Sequence, residues 1–280
     1  MLDNFIYEDH LGRRFIGREN RVFLNYNDLR DYSWSYDTIN SRISRFYRPI
    51  TNRKLPLVII CENAEAAITV KNRLLELAET DIEARKPGKI YIGDYYTNGY
   101  ITASVKTEYL IAKHYCKIEL KLTSDDPMWY RDQHFVFNPS QIAHIGNGMD
   151  YGLSGQGGFD YPYDYSFSEK GKTIVCDSVR GSAVKLRIYG EATNPTVVIG
   201  GHTYGINGTI QAGESLLIDS IAKTITLTTA SGSKENWFDK RNRDSYIFEP
   251  IPSGQHFATW DGSFAFDLIV IEKRSEPRWT

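Results

Sequence analysis

Apolar and polar side chains alternate every second residue along most of the chain, and a helical period occurs once. From 116 to 122, Cys116, Ile118, Leu120 and Leu122 share one strand face while Lys117, Glu119 and Lys121 point outward. Val184, Leu186 and Ile188 alternate with Lys185, Arg187 and Tyr189, and Ile225 and Leu227 with Thr224, Thr226 and Thr228. This is the pattern of half-buried antiparallel strands. Residues 21–36 and 55–60 also read as strands. Ala67, Val70, Leu74 and Leu77/Ala78 fall at helical spacing, which predicts one helix over about 63–80 with Asn63 or Glu62 serving its first turn. Lys86-Pro87-Gly88 marks the break after it. Arms at 89–96 and 100–110 flank Asn98-Gly99, the pair favoured by a two-residue type I′ turn. On the second arm Ile101, Ala103 and Val105 form the expected inner face.

Composition then changes. Between Gly146 and Gly158 there are six glycines in thirteen residues, followed by Tyr161-Pro162-Tyr163-Asp164-Tyr165. Glycine-dense sequence loses much entropy on ordering and rarely sits inside an element. The expected organisation is an N-terminal α+β domain over 1–145, a Gly/Tyr-rich linker over 146–165, and a β-sandwich over 166–280. Short strands punctuated by Gly200-Gly201, Asn207-Gly208, Gly213, Ser231-Gly232 and Asp261-Gly262 support a two-sheet sandwich in the second half.

Charge and chemistry narrow the function. With 33 basic and 35 acidic residues the net charge is −2, which argues against a dedicated nucleic-acid binder. One local exception is 37–54, where Arg42, Arg45, Arg48, Arg53 and Lys54 surround Phe46 and Tyr47; an exposed arm or an interface accounts for it. No apolar run approaches the roughly 18 residues of a membrane span, and no secretory signal is expected. Cys61, Cys116 and Cys176 are too widely spaced for a disulfide framework or zinc site and read as buried apolar groups in a reducing compartment. His10, His114, His134, His144, His202 and His256 form no metal motif. Gly171-Lys172-Thr173 lacks the preceding glycine of a phosphate loop, with Ser166 in its place. No catalytic residue, cofactor site or metal site is expected.

Several blocks in fixed order carry a resemblance. They are the single helix followed by Lys86-Pro87-Gly88-Lys89-Ile90, the Tyr-Pro-Tyr-Asp-Tyr linker, and Gly213-Glu214-Ser215-Leu216-Leu217-Ile218-Asp219-Ser220. Ala222-Lys223-Thr224-Ile225, Phe248-Glu249-Pro250-Ile251-Pro252-Ser253 and Ser275-Glu276-Pro277-Arg278-Trp279 follow. The whole chain resembles the distal tail protein (Dit) family of siphophages. That resemblance implies a virion structural protein of the tail tip, made in the host bacterial cytoplasm: a homo-hexameric ring built by the N-terminal domains, with galectin-like C-terminal sandwiches projecting outward. It implies partners among the tail tube protein, the tail-tip protein and receptor-binding or baseplate proteins. DNA would pass through the ring lumen without specific binding, and no membrane is involved. Family members clasp neighbours with an extended arm, here placed at 37–54 with Ile39, Ile43, Phe46 and Tyr47 as interface residues. The alternative expectation is a carbohydrate-binding adhesion module stacking sugars on Trp237 or Trp260. The galectin sugar motif is not present in order, since Thr196 follows Asn194-Pro195 where an arginine is required.

Overall fold

The computed structural model describes residues 5–112, 114–139 and 171–279; the expected linker at 146–165 lies outside them. Among the described residues the chain is mainly β with one α-helix, and it divides into two units. The first comprises residues up to Asp132 together with Lys273 onward, and the second runs from Gln133 to Glu272.

In the first unit the strands are β1 (Ile6–Glu8), β2 (Arg14–Ile16), β3 (Val22–Leu24), β4 (Ser35–Ile39), β5 (Arg42–Tyr47) and β6 (Thr51–Ile60). Helix α1 (Ala64–Ala84) comes next, followed by β7 (Gly88–Ile92), β8 (Tyr95–Ala112), β9 (Tyr115–Ser124) and β10 (Trp129–Phe137). All pairings are antiparallel. One path runs β10–β8–β7–β1–β2, and a second runs β3–β6–β9–β8, so β8 belongs to both. The inward residues Leu55, Leu57 and Ile59 of β6 and Cys116, Ile118, Leu120 and Leu122 of β9 meet Ala67, Leu74, Leu77 and Ala78 of α1 in one core. The alternation read from β9 is thus the alternation observed.

The helix starts where its cap dictates. Asn63 is extended and its side-chain oxygen accepts the Ala66 backbone N–H at 2.8 Å. It ends at Arg85 in a left-handed conformation, one turn beyond the apolar period. The added turn is held by Asp81, which is fully buried. The Tyr7 hydroxyl donates to one of its oxygens and the His10 backbone N–H to the other at 2.8 Å, with His10 Nδ1 2.7 Å away. Burial first, and then the bond to Asp81, push the Tyr7 phenol far above its ordinary value. Gly88 lies so close that a Cβ there would strike both the Asp81 carboxyl and the Tyr7 hydroxyl.

The hairpin after the helix differs from expectation. Its turn is Gly93-Asp94, with Ile92 opposite Tyr95. Positive φ occurs at Gly93 alone, the pattern of a type II′ turn. Asn98 and Gly99 lie inside β8, opposite Lys89 and Gly88. Gly99 serves a close approach: a Cβ would stand 2.7 Å from Leu122 Cδ1 and 2.9 Å from the Thr123 carbonyl. The expected inner face of β8 also breaks. A register shift between Ile101 and Ala103 leaves Ile101 buried but sets Ala103 and Val105 opposite the outward Lys121 and Glu119.

The second unit contains β11 (Gly171–Cys176), β12 (Ala183–Tyr189), β13 (Ala192–Thr193), β14 (Thr196–Ile199), β15 (His202–Gly205) and β16 (Thr209–Ile210). It continues with β17 (Ser215–Asp219), β18 (Thr224–Thr228), β19 (Lys234–Asn236), β20 (Gly254–Trp260) and β21 (Phe266–Arg274). Strands ordered β19–β18–β17–β12–β21 form one sheet and β11–β20–β14–β15 the other. Val184, Leu186, Ile188, Leu216 and Ile218 from the first face Ile174, Val197, Ile199 and Ala258 from the second across a shared core. This is the expected β-sandwich. All three cysteines are buried free thiols, and burial raises the thiol pKa of Cys61 and Cys176.

Asp219 closes the β17–β18 turn. It accepts the backbone N–H of Ile221 at 2.9 Å and of Ala222 at 3.0 Å, and Lys185 Nζ lies 3.1 Å away. Burial raises its pKa, but the Ala222 amide and Lys185 outweigh that and hold the carboxyl below the usual value. Such a group contributes stability above the unfolded pKa of about 3.9, and the contribution disappears as pH falls through that value and past the native one. Asp219→Asn should therefore lower the melting temperature at pH 7 and flatten its fall as pH drops through about 3.9 and below, as read by thermal unfolding at a series of pH values. In the first unit, Asp81→Ala leaves buried donors without an acceptor and should reduce stability by about 2–4 kcal/mol in urea unfolding.

Candidate interaction surface

The sequence 35–47 folds as a hairpin because Asn40 and Ser41 both take positive φ, 50° and 61°, the geometry of a type I′ turn. Asparagine tolerates that region better than most residues. Ile39 faces Arg42 across the turn, and a bulge between Asp37 and Thr38 shifts the register. Ser35 then pairs with Tyr47, Tyr36 with Phe46, Asp37 with Arg45, and Thr38 with Ile43. Directly opposed residues share a face. The bulge therefore brings Ile43 and Phe46, three apart in sequence, onto one face with Tyr36, whose ring meets that of Phe46 edge-on at 6.4 Å. The other face carries Ile39, Arg42, Arg45, Asp37 and Tyr47.

Both faces are open. Tyr36 is 57% exposed, Ile39 65%, Ile43 52% and Phe46 56%, and Tyr47 is 37% exposed. The four residues expected at an arm thus lie on one hairpin, Ile43 and Phe46 on its apolar face and Ile39 and Tyr47 on its basic face. A two-stranded hairpin is marginal in water alone, and this one pairs with no third strand among the described residues. Its fixed end is its root. Arg48 Nη1 donates to Met128 Sδ at 3.2 Å and to the Ser275 carbonyl at 3.4 Å. Arg53 is 2% exposed and donates to the Pro127 carbonyl at 3.3 Å. Burial, and then the neighbouring Arg48, lower the Arg53 guanidinium pKa to about 10, so it remains charged at neutral pH. The same region is closed by the end of the chain: Arg30 sits 4.3 Å over the Trp279 ring and donates to the Pro277 carbonyl. Sequence pattern did not signal these arginine contacts, because they join segments 74 to 247 residues apart.

Trp237 and Trp260 both pack into the sandwich core, with no ring contact between them among the described residues. Trp237 is 6% exposed, its indole N–H donates to Glu235, and Lys240 Nζ stands 3.8 Å over its ring. Trp260 is partly buried edge-on against Phe137 and Phe266, and its N–H donates to the Phe264 carbonyl at 3.0 Å. A sugar platform needs an open ring face, and Trp237 has none to offer. Among the described residues no group of three or more His, Cys, Asp or Glu is placed to hold a metal ion, and no helix is long and apolar enough to cross a membrane.

No known family model matches the sequence, and no curated protein matches it either. Solved structures do. SPP1 Dit (gp 19.1), described as a paradigm of the hub adsorption apparatus in phages infecting Gram-positive bacteria, matches 96% of this chain and 98% of its own, with a TM-score of 0.55 and 9% identity. The chain has the Dit fold. A chain of the phage P2 baseplate in its activated conformation with Ca matches 99% of this chain and 100% of its own, with a TM-score of 0.62 and 11% identity. The same baseplate with Sr gives the same values. The likeness spans both units of the chain.

Because Ile43 and Phe46 on the apolar face of β4–β5 are exposed among the described residues, Ile43→Ser with Phe46→Ser should change folding stability by no more than about 0.5 kcal/mol. Leu120→Ala, in the core, should cost about 2–5 kcal/mol in the same urea titration.

Proposed function

We propose that this chain is a structural hub and adaptor of a bacteriophage tail tip, working as a virion component and not as an enzyme. The likeness to SPP1 Dit over nearly the full length of both chains carries this reading. The hairpin β4–β5 supplies the physical means. It exposes large apolar residues on a marginal element, and copies of the chain bury them by clasping one another. Head-to-tail contacts of this kind use different patches on the two sides of each subunit and close into a ring, here with six-fold symmetry. The ring joins the tail tube to the tail-tip and receptor-binding proteins, and DNA passes through its lumen without specific contacts. The near-neutral net charge suits that passage, since a basic wall would bind phosphate strongly.

The purified chain should show a species near six times 32.1 kDa, or its double, by mass photometry or light scattering. Replacing residues 35–47 with a short glycine linker should abolish that species while the remaining fold melts as before. A chain that stays monomeric alone and with its tail-tube partner would overturn the ring, as would a ring that survives loss of the hairpin.

A further inference from the structure

Helix α1 presents a second surface that is left open among the described residues. Ile68, Leu75 and Ile82 recur every seven residues, about 10.5 Å apart along the axis, and fall on nearly one line of the helix. Ile68 is 54% exposed, Ile82 is 42% exposed and Leu75 is half-buried, whereas the core side of α1 is Ala67, Leu74, Leu77, Ala78 and Asp81. At roughly 100° per residue, Glu65, Glu76, Glu79 and Glu83 all lie along one flank of this apolar line. All four are exposed, and none forms an ion pair among the described residues.

The basic face of β4–β5 has the complementary character. Ile39 stands among Arg42 and Arg45, which are exposed and likewise form no ion pair among the described residues. An apolar line with an acidic flank matches an apolar residue with a basic flank, and opposite charges at close range favour one register and one partner. We propose that the Ile39–Arg42–Arg45 face of one copy seats on the Ile68–Leu75–Ile82 line of α1 in the next copy, with the arginines meeting the α1 glutamates. This rests on the clasping-arm reading above and specifies what the arm grips. Tyr36, Ile43 and Phe46, on the opposite face of the hairpin, stay free for another part of the ring. Arginine suits the role, because its planar fork engages carboxylates bidentately while its stem covers apolar surface.

Charge reversal on the full chain tests the pairing. Three variants are compared with wild type: Arg42→Glu with Arg45→Glu; Glu76→Lys, Glu79→Lys and Glu83→Lys together; and all five changes in one chain. Every changed residue is exposed, so thermal unfolding should remain close to wild type. Each partial set should raise the concentration for half-assembly at least about tenfold by mass photometry, and the five-fold variant should return it to within about threefold of wild type. Restoration by the combined changes supports the pairing. If the arginine set weakens assembly but the glutamate set does not, or if the combination restores nothing, the helix is overturned as the arm's seat and the arm reading stands. If the arginine set and removal of 35–47 both leave assembly intact, or if wild type never self-associates, alone or with its tail-tube partner, the arm reading fails and this inference fails with it.

Discussion

The first unit depends on one strand serving two partners. Strand β8 pairs with β7 and β10 through its first residues and with β9 through the rest. The change of partner takes place at Gly99, opposite Gly88 on one side and next to Tyr100, which pairs with Thr123, on the other. No side chain fits there, because the Leu122 side chain and the Thr123 carbonyl already occupy the place of a Cβ. The bulge at Ile101 and Ala103 follows directly and reverses which side chains face the core. One missing Cβ and one inserted residue thus let a single strand join both sheet paths.

Polar contacts then tie the helix and the hairpin root to that framework. Asp81 gathers Tyr7 from β1 and His10 from the turn after it, and Gly88 of β7 closes over them. Buried groups of this kind demand full pairing, so they orient α1 more sharply than its apolar face could alone. At the hairpin root Arg48 and Arg53 contact the 127–128 segment, with burial opposing their charge. The root is held while the two strands beyond it lie exposed on both faces. That contrast between an anchored base and an unburied tip is what makes the hairpin suited to reach another molecule.

The proposed hub role is one of geometry, and its chemistry would be that of interfaces. The hairpin combines an apolar face, a basic face and a fixed root, and α1 offers an apolar line with an acidic flank. In the proposed ring each contact would use one surface of each kind, one from either copy. The sandwich unit is different in kind. Its tryptophans are engaged with Glu235, Lys240, Phe137 and Phe266, which makes them part of its packing.

The sequence by itself determined the mainly-β class, the one helix among the described residues and a start for it at Asn63 or Glu62, the inward faces of β9, β12 and β18, and the burial of the three thiols. These rest on local periodicity and capping, which act within a few residues. It also marked 37–54 as unusual, through isolated large apolar residues in a basic stretch. Only the tertiary structure decided that the turn lies at Gly93-Asp94 and that Asn98-Gly99 sits within a strand, because the Gly99 contact is with Leu122 and Thr123, far away in sequence. It alone reversed Ala103 and Val105, since a bulge leaves no trace in the alternation before it. It alone added the last turn of α1, whose support is a carboxyl bonded to residues 71 and 74 positions earlier. Local rules set which residues form strands and helix; contacts between distant segments set where each one turns, shifts and stops.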